Sequence, residues 1–221
     1  DKIRQLGVNP YPYEFNVTCS TSDINKDSVD KKVSVAGRVM SLRKMGKAAF
    51  ANIQDASGRV QLYIARDDVG EDNYSLFKLV DIGDFIGIDG VVFITKTDAL
   101  TVKAEKVTVL SKNLRPIPDV KEKDGEKYNS VSDKELRYRK RYIDMIINPE
   151  TKDNYIKRFK IINSIREFLN KNGYIEVETP VLQPVYGGAN AKPFKTFHNA
   201  LDQEFFLRIA TELYLKQLIV G

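Results

Sequence analysis

The sequence predicts an α+β protein, in which an N-terminal β-barrel precedes a unit that mixes helix and strand. Two observations lead to this fold class. From Val33 to Leu110 apolar residues tend to alternate with polar ones, the period of half-buried strands. Over residues 153–172 they recur every three or four positions, as on one face of a helix, and a strand-like run follows directly.

The barrel is predicted from five runs of period two, separated by the turn sequences RKMG, DASG and KTD and by one short helical segment. The runs are VSVAGRVMSL, KAAFANIQD, RVQLYIAR, DFIGIDGVVFIT and ALTVKAEKVTVL, and the helical segment DNYSLFKLV lies between the third and the fourth. Three strands, a helix and two strands is the order of an OB-fold barrel, which we assign to residues 1–110. Another small antiparallel barrel or sandwich is the alternative.

The second half begins after a predicted linker at residues 111–132, which is charged, contains prolines and has no period. A basic helical segment, KELRYRKRYIDMIIN, is followed by the long helix 153–172, and Gly173 stands where a left-handed C-cap would end it. The run YIEVETPVL predicts a strand at residues 174–182. Pro180 within it is tolerated at an edge or an interface, where its missing N–H is not needed.

Alternation also predicts which barrel side chains point outward. The residues named by this pattern are Arg38, Phe50, Gln61, Tyr63, Lys103 and Glu105. Aromatic rings offer flat surfaces for stacking bases, and amide or carboxylate groups can read base edges. The alternative is that a neighbouring element covers Phe50 and the rest is ordinary polar exterior. The period leaves both open.

Composition restricts the class of protein. No apolar run approaches the roughly 18 residues of a membrane span, and no signal peptide is visible, so no membrane partner is expected. Cys19 is the only cysteine, which excludes an internal disulfide and suits a reducing cytoplasm. The net charge of +5 permits a polyanionic partner without requiring one.

Four segments together resemble class II lysyl-tRNA synthetases, and the resemblance covers nearly the whole chain. They are AGRVMSLRKMGKAAFANIQDASGRVQLYIARDD, RYRKRYIDM, GYIEVETPVLQPVYGGANAKPF and FLRIATELYLKQLIVG. The resemblance implies an OB domain that binds an anticodon. It also implies that residues 133–221 begin an antiparallel-sheet catalytic domain that activates L-lysine with ATP and Mg²⁺. The implied partners are tRNA(Lys), L-lysine and a second identical subunit, in the cytoplasm.

On the barrel, the resemblance implies that Phe50 stacks on the central anticodon base and that Gln61 bonds its edge. Arg38 and Arg43 are expected nearby, for a base edge or a phosphate, with Glu105 also within reach.

In the second half, the resemblance implies that Gly188 and Ala189 lie near the lysine backbone and that Glu212 pairs with its α-ammonium group. Arg208 is expected in the same pocket or in support of that carboxylate. Pro180 is expected at the homodimer interface. Thr211 departs from the proline that many relatives carry there, which puts the local turn in doubt.

The family's ATP-binding arginines and Mg²⁺-binding glutamates would follow Gly221, so the chain is expected to be a fragment. No catalytic residue, metal ligand, bound ATP or bound Mg²⁺ is expected within it. Two rival interpretations are an aspartyl- or asparaginyl-tRNA synthetase, and an OB-fold nucleic-acid-binding module without catalysis. Taken singly, Gly188 could be a simple turn residue and Glu212 a solvated one.

Overall fold

The computed structural model describes residues 2–118, 121–123, 126–128 and 133–221. The chain forms two compact units that divide after Ile147. The first contains the barrel and the second a long helix with a small antiparallel sheet. The predicted α+β class is confirmed.

The first unit contains a closed five-stranded barrel with the strand order β1-β2-β3-β5-β4. Its strands are β1 (Lys32–Met45), β2 (Ala48–Gln54), β3 (Arg59–Ala65), β4 (Phe85–Ile94) and β5 (Leu100–Ser111). A short helix α1 (Lys2–Gln5) precedes the barrel, and α2 (Arg66–Val69) and α3 (Glu71–Lys78) lie between β3 and β4. Neighbouring strands are antiparallel except β3 and β5, which run parallel. The predicted barrel and its strand order along the chain are confirmed; the helical segment expected between β3 and β4 corresponds to α3, and α2 is an additional short helix.

The barrel interior is filled by the side chains that alternation assigned to it. Val35, Ile53, Leu62 and Val102 are fully buried, and Phe77 of α3 belongs to the same core. Complete burial of such a side chain stabilises the folded state by about 1.5–3 kcal/mol. The alternate positions of the strands therefore face away from the core.

Asp55, in the turn between β2 and β3, attaches the segment before β1 to the barrel. One of its carboxylate oxygens accepts from the Thr21 backbone N–H at 2.7 Å, and the other from Thr21 Oγ1 at 2.6 Å. Ser57 and Gly58 donate to the second oxygen within the turn. Partial burial raises the pKa of Asp55, but these hydrogen bonds outweigh it and hold the pKa well below its usual range.

Asp84, at the start of β4, is a fully buried carboxylate. Its carboxylate accepts hydrogen bonds from the backbone N–H groups of Asp81 and Asn113, both at 2.7 Å. It also forms an ion pair with Lys112, whose Nζ lies 2.5 Å away. Lys112 also binds the exposed Asp81 at 2.8 Å. The buried charge is thus paired and hydrogen-bonded, and it joins the residues before β4 to those after β5.

The remaining elements follow the barrel in chain order. They are β6 (Lys121–Lys123), β7 (Glu126–Tyr128), α4 (Lys134–Arg139), α5 (Arg141–Ile147), α6 (Pro149–Lys171), β8 (Leu182–Gln183), β9 (Lys195–His198), β10 (Gln203–Leu207) and α7 (Glu212–Val220). β6 pairs with β7, and β8, β10 and β9 form a three-stranded antiparallel sheet in that order.

The long helix α6 begins four residues before the predicted start, because Pro149 occupies the first turn, where no backbone N–H is needed. Its end agrees with the sequence, since Gly173 follows it with φ +82°. The basic segment before it is divided into α4 and α5 at Lys140, whose φ of −116° and ψ of 51° are not helical.

The predicted strand at residues 174–182 is wrong, since only Leu182 and Gln183 are in a strand. A strand requires a neighbour for its backbone hydrogen bonds, and on the side of β10 opposite β9 the pairing within the described residues reaches only Leu182 and Gln183. The predicted linker contains β6 and β7. Its residues 119–120, 124–125 and 129–132 lie outside the described part of the chain.

Candidate nucleic-acid interface and amino-acid site

Four outward side chains stand in register across the barrel surface. Arg43 of β1 pairs with Phe50 of β2, Phe50 with Tyr63 of β3, and Tyr63 with Lys103 of β5. We call these four residues the cross-strand row. The rings of Phe50 and Tyr63 are tilted, with centroids 5.1 Å apart. Arg43 and Lys103 are the basic residues at its two ends, so the row combines a stacking surface with basic side chains.

Phe93 of β4 extends this aromatic group, since its ring lies edge-on to Tyr63 at 6.2 Å. Alternation would have placed Phe93 outward, because Val92 beside it is fully buried. Its contact with Tyr63 depends on barrel closure, which puts β5 between β3 and β4. The sequence pattern could have predicted that Phe93 points outward, but not that its ring contacts Tyr63. The sequence analysis therefore missed Phe93.

Gln61 lies on β3 two residues before Tyr63, on the same face, and is therefore a diagonal neighbour of Phe50. It pairs with Asn52 of β2, and its Oε1 accepts a hydrogen bond from Thr101 Oγ1 at 2.8 Å. Within the described residues Nε2 of Gln61 makes no hydrogen bond, so it can donate to a base edge. The expectation that Phe50 and Gln61 share one outward face is confirmed.

Arg38 and Glu105 lie apart from the Phe50–Gln61 pair. Arg38 pairs with Gln54, four residues along β2 from Phe50. Its guanidinium is 4.3 Å from the Phe85 ring centroid and donates to the Gly83 carbonyl at 3.3 Å. Burial lowers the pKa of Arg38 from its ordinary value.

Glu105 stands on β5, two residues beyond Lys103. Its carboxylate binds Lys32 Nζ at 3.2 Å. The carboxylate of Glu105 is thus already engaged by a cation of the same chain. Of the five anticodon residues expected from the sequence, the structure brings Phe50, Gln61 and Arg43 closest together.

In the second unit, Gly188 lies against Glu212. Gly188 has φ +84°, and a Cβ added to it would stand 3.2 Å from the Cβ atoms of Ala210 and Glu212. Glycine thus serves both the backbone conformation and the close approach. Ala189 follows it as an exposed residue. Gly188 and Glu212 therefore come together, with Ala189 adjacent to Gly188 in the chain.

Glu212 is the first residue of α7, where the positive end of the helix dipole favours a carboxylate. Its Oε1 accepts from Lys216 Nζ at 2.5 Å, one turn along the helix. The carboxylate is exposed and already engages an ammonium group, which is the chemistry expected of it toward lysine.

Arg208 makes no hydrogen bond or ion pair with the Glu212 carboxylate within the described residues, and its expected place in the lysine pocket stays a prediction. Its Nη1 donates to the Thr179 carbonyl at 2.6 Å and to Thr179 Oγ1 at 2.5 Å. The Arg208 backbone N–H donates to Val181 at 2.9 Å, because β10 runs antiparallel to β8 and carries the residue past Pro180. Arg208 thus holds the segment around Pro180, which is itself exposed.

The described residues contain no group of three His, Cys, Asp or Glu side chains that could hold a metal ion. His198 accepts a hydrogen bond from the Leu201 backbone N–H at 3.3 Å, and its ring lies 5.5 Å from that of Phe205. In the described ranges no helix has the length and apolar character needed to cross a membrane.

Two family models match the chain, one on each side of the predicted linker. Residues 33–110 match the OB-fold nucleic acid binding domain, and residues 133–221 match the class II tRNA synthetases (D, K and N). The chain therefore carries an OB-fold nucleic-acid-binding domain and a class II tRNA synthetase segment of the D, K and N type.

Curated relatives specify the resemblance further. The chain is 53% identical to a lysine–tRNA ligase of Azobacteroides pseudotrichonymphae genomovar. CFP2. It is 50% and 51% identical to the lysine–tRNA ligases of two Porphyromonas gingivalis strains. Each match covers 100% of this chain. The chain spans 40% to 46% of the length of these relatives.

Proposed function

We propose that this chain is part of a lysine–tRNA ligase, an enzyme that uses ATP to join L-lysine to tRNA(Lys). The observation that carries the proposal is the match over the whole chain to proteins of that name, with 50% to 53% identity. The barrel and the synthetase segment occur in the order that such a match requires. An aspartate or asparagine enzyme would fit the family model of residues 133–221 but not the names of these relatives.

Within that activity, the cross-strand row and Gln61 are proposed to bind the anticodon of tRNA(Lys). Phe50 stacks on a base, Gln61 Nε2 donates to the edge of the same base, and Arg43 binds an adjacent phosphate. The side chains supply what single-stranded RNA recognition requires, an aromatic surface, an edge-reading amide and a cation. Arg38 and Glu105 would take more distant positions on the nucleotide path.

The amino-acid site is proposed to form around Gly188, Ala189 and Glu212. The open backbone of Gly188 admits the substrate close to the chain, and the Glu212 carboxylate binds its α-ammonium group in place of Lys216. Arg208 contributes by holding the neighbouring segment through Thr179. None of these residues makes or breaks a bond, so we assign them binding roles and not catalytic ones.

ATP and Mg²⁺ are implied by the proposed activity. The described residues present no cluster of acidic side chains fit to hold Mg²⁺, so we assign them no step of the nucleotide chemistry.

We also propose that the protein is a cytoplasmic homodimer. Its proposed domain limits are 1–110 for the anticodon-binding domain, 111–132 for the linker and 133–221 for the start of the catalytic domain. The exposed apolar residues around Pro180, such as Ile175, which is 84% exposed, support a subunit contact there.

The test is amino-acid-dependent exchange of pyrophosphate into ATP, measured with the full-length protein and each of lysine, aspartate and asparagine. Lysine is expected to support exchange at least a hundredfold better than the other two, because a site built to hydrogen-bond a polar side-chain group rejects substrates that lack this group. Charging of a tRNA(Lys) transcript with labelled lysine is the second measurement. Exchange that depends on aspartate or asparagine would contradict the proposal.

A further inference from the structure

Lys103, at one end of the cross-strand row, is neutralised by an acidic side chain from outside the barrel sheet. Its Nζ lies 2.7 Å from Oδ1 of Asp68 in α2. Among the described residues, the other titratable groups that act on Lys103 are Tyr63, its register partner, and Glu105 on its own strand. Glu105 is bound to Lys32, so Asp68 is the direct partner of the Lys103 ammonium.

Arg43, at the opposite end of the row, provides a contrast. Its side chain is exposed, and no ion pair engages it within the residues that the structure describes. Two cations therefore bracket the same pair of aromatic rings, one available to a phosphate and one already bound to a carboxylate. The row is electrostatically asymmetric.

Stability does not account for the pair. The side chains of Lys103 and Asp68 are 46% and 28% exposed, and ion pairs this accessible contribute little to folding. The hydrogen bond from Lys103 to Asp68 is the foremost cause of a raised pKa of the lysine, so the ammonium group stays charged in neutral solution. The effect of the ion pair is instead to reduce the positive electrostatic potential beside Tyr63.

We propose that Asp68 is a positioning residue that withholds Lys103 from RNA phosphates, so that binding at the Tyr63 end of the row depends on bases and not on backbone charge. The ligand concerned is the phosphodiester backbone of single-stranded RNA. A free lysine there would bind any sequence, because phosphate contacts carry no sequence information. The inference rests on the proposed anticodon role of this face and adds a source of its selectivity.

The experiment measures the affinity of the full-length protein for two tRNA transcripts, tRNA(Lys) and the same transcript with a replaced anticodon, at several salt concentrations. Asp68→Asn is the test variant. Asp67→Asn is the matched control, because it removes the same charge from the same helix. Its side chain is 85% exposed, and its Oδ1 lies 3.9 Å from Nε of Arg66.

Asp68→Asn is expected to bind both transcripts more tightly and to lose part of the difference between them. One additional phosphate contact on single-stranded RNA steepens the logarithmic salt dependence by about 0.7. The gain over wild type should therefore shrink by roughly 2.6-fold between 50 and 200 mM salt. Asp67→Asn should show a smaller gain without that steeper slope, Asp68→Glu should behave like wild type, and adding Lys103→Met to Asp68→Asn should abolish the gain.

An Asp68→Asn variant with unchanged slope and selectivity, or with weaker binding, would overturn the inference. Circular dichroism of each variant establishes that the barrel is folded. If wild-type protein does not distinguish the two transcripts, the proposed anticodon role itself fails, and the inference fails with it. If wild type distinguishes them and Asp68→Asn matches Asp67→Asn, only the inference fails.

Discussion

Replacing Phe50 with alanine should weaken tRNA binding while leaving the barrel folded. Stacking of a base on an aromatic side chain is worth about 1–3 kcal/mol, so the affinity should fall roughly ten- to a hundredfold. Phe50 points away from the core, and its inward neighbours Ala49 and Ala51 are unaffected. What the barrel loses is the ring contact with Tyr63, centred 5.1 Å away. An aromatic pair of this kind contributes about 0.5–1.5 kcal/mol, so the free energy of unfolding should fall by about 1 kcal/mol.

The measurement is titration of labelled tRNA(Lys) transcript with the full-length protein, beside urea unfolding followed by circular dichroism. Tyr13→Ala is the matched control, since Tyr13 is 100% exposed, lies before the barrel and is not part of the row. Equal affinity of Phe50→Ala and wild type would refute the stacking role. A loss of more than about 3 kcal/mol of stability would instead show that Phe50 belongs to the core, because only core aromatics cost that much when truncated.

Three further predictions concern the carboxylates of Glu212, Asp84 and Asp55. Glu212→Gln should raise KM for lysine in pyrophosphate exchange roughly tenfold or more, since a hydrogen bond to a charged group is worth about 1.5–3 kcal/mol, and should leave tRNA affinity unchanged; an unaltered KM would make Glu212 a solvated residue. Asp84→Asn should lower the free energy of unfolding in urea by about 3 kcal/mol, because it leaves Lys112 without its buried partner; a loss below about 1 kcal/mol would contradict that reasoning. Asp55 has a pKa lowered by folding, so it stabilises the protein above the ordinary value of 3.8 and loses this effect as the pH falls below it. The Tm of wild type should thus drop more between pH 6 and pH 3 than that of Asp55→Asn, and parallel Tm profiles would show that the Thr21 contact adds no stability.

The barrel was predictable from the sequence because each strand has one buried face, which enforces a period of two. The third run, RVQLYIAR, differs from β3 (Arg59–Ala65) by one residue. The run around Ile175 failed for the complementary reason. Its residues alternate between apolar and polar, but a sequence pattern does not report whether a neighbouring strand is present.

The sequence predicted which side chains of the candidate site point outward, but not which residues of neighbouring strands pair with one another. Alternation placed Phe50 and Gln61 on one face, and the structure makes them neighbours. It also placed Arg38 outward, but a register shift between Val39 and Ser41 lies between Arg38 and the part of β1 that faces Phe50. Arg208 shows the same limit, since pairing of β10 with β8 decides that its guanidinium reaches Thr179.

The parallel pairing of β3 with β5 has a consequence for how the protein acquires function during folding. β1, β2 and β3 form a local meander. The pairing of β3 with β5, which brings Lys103 beside Tyr63, instead closes a loop of about 40 residues, and its contacts must offset the conformational entropy that the loop loses. Non-local pairings of this kind slow folding and form late. The two aromatic rings can therefore meet before the barrel closes, whereas the Lys103 end of the row exists only after closure. We expect recovery of tRNA selectivity to lag behind recovery of β-structure when the unfolded protein is returned to native conditions.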